Sequence, residues 1–211
     1  MKLLILATDY PRQDKSIALM YIHSRNKYYL KNDIDVTVLN FRAHNNYIID
    51  GVRVITLRDY QKNKDKICYD ILISHAPNIR NHYLFLKKYE KYFLNIVFFF
   101  HGHEVLKTTA IYPKPYNYVK NKFIFSNIFR ELYDILKLKI WSVYFIKILH
   151  KSYFIFVSNW LYEMFLKFIK IEPEKIEQRG YIIYNCIGQN FENVSYDFKS
   201  EKKYDFITIR N

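Results

Sequence analysis

Two histidines and a carboxylate stand where a wholly apolar segment of the sequence stops. The segment Asn95–Phe100 reads Asn-Ile-Val-Phe-Phe-Phe, and His101, His103 and Glu104 follow it directly. A short run of Ile, Val and Phe without alternating polar residues is typical of a strand that is buried on both faces, as in a parallel sheet. Ligands of such sheets bind just beyond the carboxyl ends of the strands. The pattern therefore predicts a site lined by these three polar residues.

Polar side chains also follow the other apolar segments that read as strands. These residues are Thr8, Asp9, His75, Asn78 and Ser158. The carboxyl ends of parallel strands share one edge of a sheet, so these side chains are predicted to line one cleft. Histidine, Asn, Asp and Ser can donate and accept hydrogen bonds, which suits the hydroxyl groups of a sugar or a similar polar ligand. A purely structural role for each histidine stays open as the alternative.

The rest of the chain alternates short apolar runs with helical patterns, which predicts βα units and a parallel sheet. Predicted strands cover residues 2–7, 34–39, 70–74, 96–100, 153–157 and 181–184, with a hairpin over 47–57 that turns at Asp50-Gly51. Predicted helices cover residues 16–31, 79–92, 125–150 and a segment that Ser158 caps and that runs to about residue 170. The expected fold is α/β and Rossmann-like, with three α/β/α layers and a mostly parallel sheet.

Composition limits the classes of protein to which the chain can belong. Half of the 211 residues are hydrophobic, which indicates a folded domain and excludes a disordered chain. The net charge of +13 points to an anionic partner or substrate, or to the lysine excess that an AT-rich genome produces. The two cysteines fit no metal or redox spacing, so a reducing compartment is the simpler expectation. No uncharged apolar stretch approaches the roughly 18 residues of a membrane-spanning helix.

The turn after the first predicted strand lacks the usual phosphate-binding sequences. Residues 8–15 read Thr-Asp-Tyr-Pro-Arg-Gln-Asp-Lys, with neither Gly-x-Gly-x-x-Gly nor a Walker A sequence. A dinucleotide-binding domain with the usual glycine loop is therefore not expected. The turn at Tyr10 can still offer backbone N–H groups to an anion at the start of the next helix. An ordinary βα turn is the alternative.

In their order and spacing, the motifs resemble the N-terminal domain of retaining glycosyltransferases of the GT-B architecture. The similarity is to the large family-four group, which includes mannosyl- and glucosyltransferases of bacterial surface polysaccharides. The segments that carry it are residues 4–11, 69–75, 97–104, 156–160, 182–188 and 206–211. Two features depart from the family pattern. Asp14-Lys-Ser-Ile17 stands where the family usually has a glycine pair near the donor phosphates, and Cys186 replaces a glycine.

The resemblance implies a division of the chain and a reaction. Residues 1–190 are expected to form the acceptor-side domain, and residues 191–211 a linker and the first strand of a donor-binding C-terminal domain. The whole enzyme would transfer a sugar, with retention, from a nucleotide sugar to a glycan or lipid-linked acceptor in bacterial surface polysaccharide synthesis. The nucleotide sugar is a substrate, so neither a metal nor a cofactor is expected. The chain alone is expected to be inactive.

The resemblance also assigns roles to residues. It places His101 on the catalytic histidine of the family. The substrate-binding candidates are Tyr10, His75, Asn78, His103, Glu104, Ser158 and Asn185. The expected location is cytoplasmic, with peripheral attachment to the inner face of the cell membrane as an option.

Residues 112–153 interleave lysines with aromatic side chains, among them Trp141, Tyr144 and Phe145. Such a surface can lie on an anionic membrane, with its aromatic rings at the headgroup level. The alternative is that the aromatic rings belong to the core and the lysines to a solvated face. No nucleic-acid-binding motif occurs, so no nucleic-acid partner is expected. Two other functions stay open, namely a non-catalytic membrane- or polyanion-binding module and a GT-B-related sugar-nucleotide epimerase.

Overall fold

The computed structural model describes residues 1–12, 18–112 and 124–185, together with Ser195, Lys199 and Glu201. Within this part of the chain the strands form one sheet of eight, in the order β3-β4-β2-β1-β5-β6-β7-β8. The strands are β1 Lys2–Ala7, β2 Asp35–Asn40, β3 Tyr47–Ile49, β4 Val52–Ile55, β5 Ile71–His75, β6 Asn95–Phe100, β7 Ser152–Phe156 and β8 Gly180–Ile182. Neighbouring strands are parallel except for β3 and β4, which pair antiparallel.

Helices connect the strands. They are α1 Met20–Lys31, α2 Leu57–Asn63, α3 Leu84–Tyr89, α4 Thr108–Ile111, α5 Ile124–Ile148, α6 Asn159–Ile169 and α7 Pro173–Ile176. A π-helical turn precedes α3, and short 3-10 turns follow α3 and α5. The predicted α/β fold with a mostly parallel, Rossmann-like sheet is confirmed. The short helices α2, α4 and α7 were not predicted.

Side chains from the two faces of the sheet form two separate cores. In β1, Leu4 and Leu6 point to the core that contains residues of α2, α3, α5 and α6, whereas Leu3 and Ile5 point to the core of α1. This alternation follows from the two-residue period of a strand. Both faces of β1 are covered, and this explains why its sequence is a continuous apolar run. The domain has helices on both sides of the sheet and therefore has three layers.

Two local signals in the sequence are confirmed by the backbone. The hairpin turns at Asp50 and Gly51, which have φ angles of 47° and 80°, as expected for a two-residue hairpin turn. Ser158 caps α6, because its side-chain oxygen accepts a hydrogen bond from the N–H of Leu161 at 3.2 Å. Both predictions depended on residue types that favour one backbone conformation.

Helix α5 buries the aromatic residues that we considered for a membrane surface. Trp141 and Phe145 are fully buried, and Tyr144 is 4% exposed. The ring centre of Phe145 lies 4.8 Å from that of Phe98 on β6, and it lies 5.3 Å from that of Phe154 on β7. The prediction of a membrane surface made by these three residues is therefore wrong, since they fill the core between α5 and the sheet.

The predictions for the end of the chain lie outside the described residues. They include Cys186, most of the linker over 191–203 and the strand over 204–209. Of the helices that the structure describes, none has the length and apolarity required to cross a membrane.

Candidate functional site

The order in which successive strands are added to the sheet reverses between β1 and β5. From β1 the chain adds β2 and β4 on one side, and it then adds β5, β6, β7 and β8 on the other side. At such a point the connections after the two strands diverge, and open α/β sheets bind their ligands there. Asn78, which follows β5, donates a hydrogen bond from Nδ2 to Oγ1 of Thr8, which follows β1, at 2.7 Å. The structure thus brings together two of the predicted strand ends.

Two histidines meet beside this point. His75 is the last residue of β5, and His101 directly follows the neighbouring strand β6. The Nδ1 atom of His75 lies 3.2 Å from the Nε2 atom of His101. Each of the two rings also stacks with Phe99, which is opposite His75 in the register, with centroid distances of 4.8 Å for His75 and 5.2 Å for His101. The strand register therefore positions the pair that the sequence placed 26 residues apart.

Both histidines are neutral near pH 7. Burial is the main cause that lowers the pKa of His75 well below its ordinary value, and the positive charge of Arg25 acts in the same direction. The same two causes lower the pKa of His101 to about 4. Neutral imidazole has one donor and one acceptor nitrogen, so the pair forms its hydrogen bond without a charge. Among the described residues, Nε2 of His75 and Nδ1 of His101 have no hydrogen-bond partner.

Helix α1 covers the histidine pair with two residues that were not among the predicted site residues. The ring of Tyr21 lies 4.3 Å from that of His101, and the guanidinium group of Arg25 lies 4.4 Å above the ring of Phe99. Burial and the charge of Glu104 raise the pKa of Tyr21 to about 12. The sequence feature that could have identified Tyr21 and Arg25 is their four-residue spacing. This spacing puts both residues on one face of the helix that follows β1.

Glu104 holds the loop that carries His101. Its Oε2 atom accepts hydrogen bonds from the backbone N–H groups of His101 at 3.2 Å and Gly102 at 2.6 Å. Burial raises the pKa of the Glu104 carboxyl group. His103 is exposed, and its Nε2 atom lies 3.1 Å from the hydroxyl of Tyr112. Glu104 therefore positions His101, whereas His103 has no described contact with the histidine pair.

A buried ion pair in α5, formed by Lys137 and Asp134, anchors the loop that follows His101. Lys137 donates from Nζ to the carbonyl oxygens of His103 at 2.8 Å and Leu106 at 2.9 Å, and to Oδ1 of Asp134 at 2.8 Å. Asp134 also accepts a hydrogen bond from the N–H of Thr108 at 2.8 Å. Lys137 and Asp134 are 6% and 2% exposed. The interleaved lysines and aromatic residues of this region predicted a solvated or membrane-facing set, and nothing in that pattern indicates a lysine that anchors a loop.

The backbone directly after His75 is strained. Ala76 has a φ angle of 48°, which lies in the left-handed region and costs about 1–2 kcal/mol for a residue with a side chain. The N–H of Ala76 donates to the carbonyl oxygen of Phe99 at 2.9 Å. This bond to β6 holds the turn in place. Strained backbone of this kind occurs preferentially at functional sites.

Three further predicted site residues have no described contact with the histidine pair. Tyr10 is fully buried, its hydroxyl pairs with His23 and Asn26, and its N–H donates to Asp9. The assignment of Tyr10 to substrate binding is therefore corrected, because its hydroxyl and N–H have protein partners and its ring has no exposed surface. Ser158 serves as the cap of α6, and Asn185 is exposed beyond β8.

Comparisons with known proteins add no family assignment. None of the models of known protein families matches the chain, and a search of curated proteins finds no match either. Over the described ranges 1–12, 18–112 and 124–185, no group of three or more potential metal ligands comes together. What is shown is an α/β domain with a Rossmann-like sheet and a histidine pair at the edge where such sheets bind ligands.

Proposed function

We propose that this chain provides the acceptor-side domain of a retaining GT-B glycosyltransferase. The observation that carries the proposal is the neutral pair of His75 and His101 at the carboxyl edge, beside the change in sheet direction. Neutral imidazoles donate and accept hydrogen bonds without requiring a charged ligand, and among the described residues Nε2 of His75 and Nδ1 of His101 have no partner. These groups suit a ligand rich in hydroxyl groups, such as a sugar.

In the proposed reaction, the bond between the anomeric carbon of the donor sugar and the diphosphate oxygen breaks. The acceptor oxygen forms the new bond on the same face of the sugar, and its proton passes to the departing diphosphate. His101 hydrogen-bonds a hydroxyl of the transferred sugar, and it does so as a neutral ring because its pKa is about 4. His75 determines which nitrogen of His101 carries the proton. Arg25 supplies positive charge near the diphosphate.

The proposal extends to the parts of the enzyme that bind the donor and the membrane. The nucleotide is held by a second domain, as the resemblance implies, and the acceptor is a glycan or a lipid-linked glycan. The enzyme works in the cytoplasm, at the inner face of the membrane when the acceptor is lipid-linked. Its pathway is the synthesis of bacterial surface polysaccharide.

The test compares two histidine variants of the complete protein. His101→Ala is expected to lower turnover about 10²–10³-fold, because a hydrogen bond to the reacting sugar is lost. His103→Ala is the matched control, since this exposed histidine does not contact the pair, and it is expected to keep most of the activity. Transfer from a panel of nucleotide sugars to glycan and lipid-linked acceptors is measured together with the melting temperature. Normal turnover in His101→Ala, or loss of folding without loss of turnover per folded molecule, contradicts the proposal.

A binding module without catalysis is the second candidate. The apolar surface that α5 exposes favours it, because such a surface docks a partner without chemistry. This candidate requires that the complete protein transfers no sugar from any nucleotide donor. It also requires that His101→Ala leaves partner binding unchanged.

A further inference from the structure

Helix α5 is apolar on two opposite faces. One face is buried and carries Leu138, Trp141, Phe145 and Ile148. On the opposite side, which we call the outer face of α5, large apolar side chains are each at least 50% exposed, and these include Ile128, Leu132, Ile135, Leu136, Val143 and Ile146. Their spacing of three and four residues places them on one stripe of the helix. Monomeric proteins rarely leave such a contiguous stripe uncovered.

Lysines flank a groove along this outer face. The groove has a volume of about 510 Å³ and lies between α5 and the residues around α3. Its lining includes Leu136, Ile140, Val143, Lys87, Lys139 and Lys147.

The charges of the groove are only partly balanced by neighbouring acids. Among the described residues, Lys87 and Lys139 have no ion-pair partner, whereas Lys147 donates to Glu90 at 3.0 Å. Glu131, on the flank of the helix, is paired with Lys107 at 2.7 Å. The groove thus combines apolar side chains with uncompensated positive charge.

We propose that the outer face of α5 docks on an anionic lipid membrane, with the helix lying in the plane of the interface. Apolar side chains enter the boundary of the acyl chains, and the lysines Lys87, Lys139 and Lys147 contact lipid phosphates. This arrangement places α5 on the surface, in agreement with a helix that lacks the apolarity to span the bilayer. The inference deepens the location in the proposed function, but it does not require catalysis.

A second copy of the chain fits this face less well. Pairing the outer face with itself around a two-fold axis brings the same lysines from two chains together. Each chain carries a net charge of +13, so the contact would add repulsion between like charges. An anionic membrane meets the same lysines with the opposite charge.

The test uses a pair of variants that change the charge equally. Val143→Glu alters the outer face, where Val143 is 64% exposed, and Ile48→Glu alters β3, where Ile48 is 74% exposed. Co-sedimentation is measured with vesicles of phosphatidylcholine alone and of phosphatidylcholine with phosphatidylglycerol, at low and high salt. The unchanged chain is expected to bind the anionic vesicles at low salt. Val143→Glu is expected to weaken this binding roughly tenfold or more, and Ile48→Glu is expected to preserve it.

Several outcomes overturn the proposal. They are an absence of binding to anionic vesicles, equal binding to neutral vesicles, and equal binding by the two glutamate variants. A dimer in sedimentation that Val143→Glu dissociates, without vesicle binding, assigns the face to a second copy.

If circular dichroism shows that Val143→Glu fails to fold, Lys139→Ala replaces it and is expected to weaken binding to the anionic vesicles. His101→Ala is expected to bind vesicles normally, so failure of the docking proposal and failure of the transferase proposal give different results.

Discussion

Mild acid is expected to destabilise this domain through the buried histidines in and beside its candidate site. Burial lowers the pKa of His75 well below its ordinary value, and it lowers the pKa of His82 to about 3 and that of His101 to about 4. In the unfolded chain these histidines titrate near their ordinary pKa of about 6.5. Below this pH the unfolded state binds more protons than the folded state. The stability is therefore fully present above about pH 6.5 and is lost as the pH falls.

The magnitude follows from the number of depressed groups. Each histidine that remains neutral in the folded state costs roughly 1.4 kcal/mol for every pH unit below 6.5. Three such histidines lower the free energy of unfolding by about 4 kcal/mol between about pH 7.5 and 5.5. That is a large part of the roughly 5–15 kcal/mol that stabilises a typical domain. Arg25 strengthens the effect, whereas Glu104 opposes it, because a carboxyl group with a raised pKa takes up a proton more readily in the folded state.

Urea unfolding at the two pH values measures this loss directly, with the fluorescence of buried Trp141 and circular dichroism as signals. His101→Gln keeps a polar side chain that cannot take up the proton, so the pH-dependent loss is expected to shrink by about a third. His44→Gln removes an exposed histidine and is the matched control, with an expected loss equal to that of the unchanged chain. A free energy of unfolding that is flat between the two pH values would refute the reasoning. An undiminished loss in His101→Gln would exclude His101 as a contributor.

Three further substitutions, two of which have a control variant, test the packing and the local contacts by urea unfolding. Trp141→Ala leaves a cavity between α5 and the sheet and is expected to cost about 3–5 kcal/mol, whereas Val143→Ala, on the exposed side of the same helix, is expected to cost less than about 1 kcal/mol. Lys137→Met leaves the buried Asp134 without its partner and is expected to cost about 3–5 kcal/mol; a neutral result would mean that the pair does not anchor the loop. Ser158→Ala removes the cap of α6 and is expected to cost about 1 kcal/mol, and Ser158→Asp, which can also cap, is expected to recover most of it.

The strands were predictable because burial on both faces leaves a simple pattern. β1 was predicted at its observed bounds, Lys2–Ala7, and the strand ends that carry His75, His101 and Ser158 were placed within a residue. The hairpin was predictable from Asp50-Gly51, because these residues accept the positive φ angles of the turn. In each case the residue types alone restrict the local conformation.

The rest of the site depends on contacts that no local pattern contains. Tyr10 sits at a strand end like the other candidates, but its hydroxyl is used by His23 and Asn26 in the core. Lys137 and Asp134 act on a loop about thirty residues earlier in the chain. In α5 both sides are apolar, so a helical period cannot tell which side is covered by the sheet. Only the tertiary packing decides that Trp141 is buried and that Val143 is exposed.

The central position of β1 in the sheet affects when the candidate site can form during synthesis. β1 is made first, yet Lys2 pairs with Asp35 and Leu3 pairs with Ile71, far along the chain. Contacts between distant residues are slow to form, because the intervening chain must first be closed into a loop. The half with β1, β2 and β4 is complete in sequence before β5 is made, but the contact between His75 and His101 requires β6 as well. The histidine pair of the candidate site is therefore expected to form late in folding, once the chain through β6 has been made.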